Sequence, residues 1–460
     1  MSKMTAGTPA KEKKFHYAWL IFLGCCCMMA GGMACVLTTA GVFYVPVCDE
    51  LGFSRGEISL YLSFYLVSMV IASPIVGNLL PKVNVRIVMT IGCIAVVLAE
   101  AAMSQYTMLW QWYLSGTIFG LFGTFIFILP TPLMIGNWFK KHTGLVLGIA
   151  MSFSGIGAAI WSPLFTYCIG AFGWRTTYII VACIIGILIL PWTIFVFRFR
   201  PADMGLLPYG ATEEEIAREK AEQEALASMS EEERAQAKSK IPGVAAKAAV
   251  LSIPFACIFI LSGCEEFYGG ISNNIPAFAL SIGESATFGA ALLSVVSVGN
   301  IVIKISVGYL ADRIGIIKAV YCQMLVCLCA CLIFAIVRVE WALYVGAFLL
   351  GVQNSVVTVS EPMLVRHFFG ERSYAQVYSY IRVAAGLLGS VGMPIVGFIY
   401  DMTGGYEMAF IVGAIIAVFL MALTFIATLF GHRLPWEGGP HPDGTVGPEA
   451  AAKKALKAAK

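Results

Sequence analysis

Apolar residues run in blocks of about twenty, separated by short polar breaks, from residue 17 to residue 430. A bilayer's hydrocarbon core is about 30 Å thick and a helix rises about 1.5 Å per residue, so blocks of this length suffice to cross it. The breaks place twelve spans at 17–41, 58–80, 86–104, 109–135, 143–167, 175–197, 250–274, 286–311, 317–337, 342–365, 374–400 and 407–430. Pro130 and Pro132 are expected to kink the fourth span, and Pro276 with nearby glycines to break the end of the seventh. Gly144, Gly148, Gly155 and Gly157 in the fifth read as sites of close helix packing.

The pattern divides six and six. An amino tail (1–16) precedes a first half (17–197), a charged linker (198–249) leads to a second half (250–430), and a tail (431–460) closes the chain. The linker stretch TEEEIAREKAEQEALASMSEEERAQAKSK is rich in helix formers but lacks an apolar stripe, which predicts a solvated segment. The amino tail carries Lys3, Lys11, Lys13 and Lys14 without a small-residue cleavage site after a short apolar core, so the first span is expected to be retained. The fold class expected is all-α integral membrane, twelve transmembrane helices in two six-helix halves.

Composition and charge agree with that reading. Hydrophobic residues make up 59% and charged residues 12% of the 460, against about 25% charged in soluble domains, and mean hydropathy is +0.83. With both termini on one side, that side holds 25 Lys and Arg, whereas the other holds three: Arg55, Arg175 and Arg338. Cytoplasmic loops collect such residues, so both termini are expected in the cytoplasm of a cell that carries the protein in its cytoplasmic membrane. The net charge of +3 follows from this topology and gives no reason to expect nucleic acid. The tail lysines are placed to meet anionic headgroups. The fourteen cysteines lie almost wholly in spans and read as small packing residues. No histidine spacing suggests a metal, and no cofactor is expected.

The halves echo each other. GNLLPKVNVR (77–86) joins spans two and three as GYLADRIGIIK (308–318) joins spans eight and nine, and FGWRTTY (172–178) precedes span six as GGYEMAF (404–410) precedes span twelve. Parallel six-span repeats are a known transporter architecture. On GYLADRIGIIK the chain resembles the major facilitator superfamily, whose loop signature is matched by Gly308, Asp312, Arg313 and Gly315 as gating-loop residues. The first-half copy carries Pro81 where that signature has aspartate. RIVMTIG, NWFKKHTGLVLGIAMSFSGIGAAI, FGWRTTY, RPADMGLLPYG and GNIVIKISVGYLADRIG resemble the monocarboxylate transporter and oxalate:formate antiporter branch. The resemblance implies a polar residue and, four positions on, a cation that meets a carboxylate, here Asn300 and Lys304. It also implies a second cation on span eleven near Arg382, and the first-span lysine of the animal transporters has no counterpart in VLTTAG (36–41).

Lys304 and Arg382 are the two cations in the interior of spans, away from their ends. Counted from Asp312 and Arg372, they lie about 12 and 15 Å into the apolar core, where a charge costs a few kcal/mol unless it meets water or a partner. Ser297, Asn300 and Lys304 share one helix face. Two readings fit: the cations face an aqueous cavity that receives an anion, or they lock helices together as internal ion pairs. Tyr44 and Tyr378 are candidates to narrow such a cavity. Glu265 and Glu266 are about 100° apart on their helix and cannot share one target. They and Glu361, placed near the basic edge on a stripe with Asn354 and Thr358, are the candidates for proton coupling, since no histidine lies in a span. Glu100 reads as a rim residue.

The expected function is secondary active transport of small organic anions, mono- or dicarboxylates, by alternating access, as exchanger or proton symporter. Expected partners are the anion, protons and the bilayer, and a monomer suffices. Rivals are efflux of hydrophobic or cationic compounds, drawn by Glu265, Glu266 and Glu361, and a membrane sensor, for which tails and linker are small. An enzyme would need clustered histidines or a nucleophile with its base inside the spans, and the spans contain neither.

Overall fold

The computed structural model of the chain describes residues 16–127, 129–211 and 241–437. The acidic linker stretch 212–240, the amino tail through residue 15 and the tail lysines lie outside the described residues. Twelve crossings are formed by α1 (Ala18–Thr38), α2 (Arg55–Leu79), α3 (Val85–Ala102), α4 (109–138), α5 (143–172) and α6 (174–196) in the first half, then α7 (Ile253–Asn273), α8 (Ala286–Ile314), α9 (Ile316–Ile336), α10 (Glu340–Phe369), α11 (Tyr374–Thr403) and α12 (Glu407–Gly431) in the second. No strand occurs among the described residues.

Among the described residues, eight helices are individually long and apolar enough to cross a membrane. One of them runs Thr143–Pro191 and is turned at Gly173, whose φ of 79° and ψ of 161° leave helical space; it therefore supplies both α5 and α6. The sequence predicted a loop at 168–174, but the break needs a single glycine because a positive φ is open to it at little cost. α4, α7 and α11 complete the twelve. α4 is split into Leu109–Gly123 and Pro130–Trp138, as its prolines lack the N–H groups that would continue the ladder. α7 is diluted by Glu265 and Glu266, and a second short helix, Ile275–Ser281, follows it with Pro276 in its first turn.

Starts are set locally. Ser54 and Glu57 form a reciprocal capping box at α2, and Asn84, Ser252 and Ser285 cap α3, α7 and α8. At the end of the bundle away from the basic loops, Glu50 of the short helix Tyr44–Leu51 accepts from Arg175 Nη2 at 3.1 Å and from Trp174 Nε1 at 2.6 Å. Arg175 also donates to the carbonyls of Ser104 and Tyr106, so one guanidinium ties three connections together. The halves meet along two seams, α5 against α8 and α2 against α11.

Candidate functional site

The α5–α8 seam is built on glycine. A Cβ at Gly144 would collide with the Gly308 carbonyl, and one at Gly148 with the Lys304 carbonyl, so the backbones touch where these residues stand. Gly155 faces Ile301, and Gly157 packs on Ala30 and Ala34 of α1. Ser152 Oγ donates to the Ile301 carbonyl across the seam at 3.2 Å. Lys304 is 1% exposed, and its Nζ donates to the Met151 carbonyl and to Ser154 Oγ of α5, each at 3.4 Å. The expected aqueous exposure of Lys304 is thus corrected: its ammonium spans the seam and meets dipoles of the opposite half. Along its face, exposure closes stepwise, from exposed Ser297 through half-buried Asn300 to buried Lys304. Among the described residues no carboxylate pairs with Lys304.

Arg382 differs. Its Nη1 lies 3.5 Å from Glu361 Oε2, and both groups are buried, so the second cation already has a counter-ion on α10. Glu361, counted near the basic edge from the sequence, is thus buried and paired with Arg382, which accords with an internal ion pair between helices. The reason is local. Pro362 cannot donate to the Thr358 carbonyl, and the ladder widens to a π-helical turn over Val356–Ser360 that re-aims Glu361 inward. Gln323 of α9 holds this turn, donating to Ser355 Oγ at 2.9 Å and accepting from Ser360 Oγ at 2.5 Å.

Glu266 and Tyr65 interact electrostatically with Arg382, whereas Glu265 interacts with Glu266 and Glu361 and, less strongly, with Cys331 of α9, and also with Tyr268 of its own helix. Of the two neighbours, Glu266 is the one that interacts with Arg382, in keeping with the helical period. Both oxygens of Glu265, and the Tyr378 hydroxyl, are buried without a hydrogen bond among the described residues. Tyr378 stacks on Tyr374 at 6.0 Å and interacts with Glu361 and Arg382. Tyr44 instead packs edge-on against Tyr61, in the first half. Glu100 is buried, not a rim residue, and interacts with Tyr61, Tyr178 and Cys35.

The basic end is closed across the halves. Asp312 accepts from the backbone N–H groups of Gly144 and Leu145 at 2.9 Å each, serving as the carboxylate cap of α5, whose own His142 has a φ of 58° and caps nothing. Arg313 covers the Tyr309 ring at 5.2 Å, and Gly315, at φ 86°, makes the turn into α9. Arg366 donates to the Gly136 carbonyl and, at 2.6 Å, to Glu371, which also pairs with Lys140 at 2.6 Å. Burial alone raises the Glu371 pKa, but Arg366 and then Lys140 outweigh it and hold the carboxyl at about 2. At the α2–α11 seam Gly77 lies against Ser379 and the Ala375 carbonyl.

The described residues on either side of the acidic stretch are docked on the bundle. Tyr209 N–H donates to the Trp138 carbonyl, and its ring packs with Trp19 and Phe139. Gly243 pairs with both Gly370 and Glu437, and Glu437 forms an ion pair with Arg372. Sequence reasoning missed the Lys140–Glu371–Arg366 contacts, since those charges served only to orient the loops.

Comparison with known proteins accords with this geometry. Residues 20–340 match the model of the Major Facilitator Superfamily. The chain is 22% identical to monocarboxylate transporter 12 of Xenopus laevis over 435 residues, covering 90% of each protein, and 24% identical to the mouse protein of that name, covering 91% of this chain and 87% of the other. Among solved structures, the E. coli fucose:proton symporter FucP superimposes with a TM-score of 0.60 at 16% identity, covering 90% of this chain and 99% of that one. The proton:xylose symporter XylE superimposes with a TM-score of 0.64 at 11% identity, covering 90% and 98%. With twelve crossings in two halves and a family match over most of its length, this chain belongs to the major facilitator superfamily of membrane transporters.

Proposed function

We propose that the protein is a secondary active transporter of small organic anions, mono- or dicarboxylates, working by alternating access in the cytoplasmic membrane with the basic end in the cytoplasm. The observation that carries this reading is Lys304: a cation buried at the seam of the two halves that, among the described residues, meets a carbonyl and a hydroxyl and no carboxylate. A carboxylate entering from the more exposed Ser297–Asn300 side would give that ammonium the counter-charge it lacks. The names of the monocarboxylate transporters that the chain resembles support the same class. Rocking about the α5–α8 and α2–α11 seams would then present Lys304 to either side.

Arg382 serves as a second electrostatic anchor whose charge is shared with Glu361 and Glu266. Glu265 is the proton-carrying candidate in a symport cycle, because a carboxyl group buried without a partner is easiest to accommodate neutral. The excess of carboxylates over guanidinium in the second half favours one alternative, export of a cationic compound.

Uptake of labelled formate, acetate, lactate, oxalate and succinate into liposomes holding the purified protein tests the reading. Each acid is measured with and without internal substrate and a pH gradient, for wild type and Lys304→Ala. Uptake of one acid that Lys304→Ala abolishes is the expected result; dependence on internal substrate or on pH then separates exchange from symport. Folded protein that takes up none of the acids overturns the anion reading.

A further inference from the structure

The internal repeat exposes an unfilled position at the basic end. In one half the α8–α9 loop presents Asp312 to the first amides of α5, bridging the halves with a carboxylate. In the other, the α2–α3 loop stands at the start of α11 but offers Pro81, and Ser373 gives α11 no side-chain cap. A polar cavity of about 220 Å³ opens there between the halves. Asn78 and Lys82 of the first half, with Arg200 at the start of the linker, line it opposite Arg372, Tyr374 and Gln376 of the second half. Lys82 and Arg200 pair with no carboxylate among the described residues, while Arg372 is held by Glu437 and the one acid in the lining, Glu371, is held by Lys140 and Arg366.

We propose that this cavity binds an oxyanion, a phosphate group supplied either free in solution or on an anionic lipid headgroup, which bridges the halves where the repeat lacks an aspartate. The cations fit its charge, the cavity exceeds the size of one such group, and its position matches that of the Asp312 carboxylate in the other half. The site is separate from the Lys304 seam and does not depend on the nature of the transported compound.

Hydrogen exchange of the first turn of α11, residues 374–377, in the full-length protein tests the proposal. Inorganic phosphate is titrated against chloride at constant ionic strength in uncharged detergent, and separately phosphatidylcholine vesicles are compared with and without phosphatidylglycerol in the absence of phosphate. Exchange in wild type is expected to slow about tenfold when free phosphate stands at about ten times its Kd. The Lys82→Ala/Arg200→Ala variant, altered at two exposed positions, is expected to lose that protection, and Lys82→Arg to keep it. Protection by phosphatidylglycerol alone identifies the headgroup as the source. Absence of protection in both arms, or protection that survives the double variant, overturns the proposal.

Discussion

Replacing Asp312 by alanine is predicted to open the basic end more than any other single change at the closure. Its carboxylate accepts two backbone N–H groups at 2.9 Å each at the start of α5. Hydrogen bonds to a charged acceptor contribute about 1.5–3 kcal/mol when sheltered, and these are near water, so about 1.5–3 kcal/mol is assigned to both together. That corresponds to a shift of about ten- to 150-fold toward the open state. Asp312→Asn keeps one acceptor oxygen and is expected to shift the balance about four- to twelvefold. Glu371 makes two ion pairs, but with side chains 20–41% exposed each is worth about 0.5 kcal/mol. The assay is a distance distribution between spin labels on Lys141→Cys and Lys318→Cys, one on each half, after replacement of the exposed Cys183, Cys322 and Cys329. A distribution unchanged by Asp312→Ala but widened by Glu371→Gln would refute the ranking.

Three further outcomes are expected. Gly148→Ala, which forces a methyl onto the Lys304 carbonyl, should destabilise the closed seam by about 1–3 kcal/mol and reduce transport by folded protein, whereas Gly170→Ala, with open space around it, should not. Arg382→Gln should lower stability by about 3–5 kcal/mol by leaving Glu361 buried and unpaired, and Glu361→Gln added to it should restore most of the loss in thermal unfolding. The Glu371 pairs, with the carboxyl depressed from 4.5 to about 2, are fully present above the ordinary value and are lost only as pH falls toward 2. The label distances should therefore show no Glu371-dependent change between about pH 5 and 8, which a comparison with Glu371→Gln would check.

Much of the fold was legible because membrane crossing is a constraint on composition and length. The twelve blocks, the kink at Pro130 and Pro132, and the glycine contacts of α5 follow from local chemistry. Pairings between distant residues were not legible. Lys304 and Ser154 are 150 residues apart and Arg382 finds Glu361 on another helix, so no spacing announces either contact. Position along the helix puts Glu361 near the basic edge but does not announce the π-helical turn at Val356–Ser360 or the pairing with Arg382. Depth along α3 alone puts Glu100 at the rim, while its burial is made by neighbouring helices.

The distribution of buried charge has a consequence for how the protein can change. Among the described residues, Glu265, Lys304, Glu361 and Arg382 are buried in the second half, and Glu100 alone in the first. Similar scaffolds thus differ in buried charge, and under the proposed function one half reads charge while the other is largely the surface it closes on. A chimera that keeps residues 250–430 and takes its first half from a relative should inherit the charge preference of this chain and the contour of the donor. The reciprocal chimera should do the opposite. Selectivity by charge and selectivity by shape would then be separable traits, carried on different lengths of the same chain.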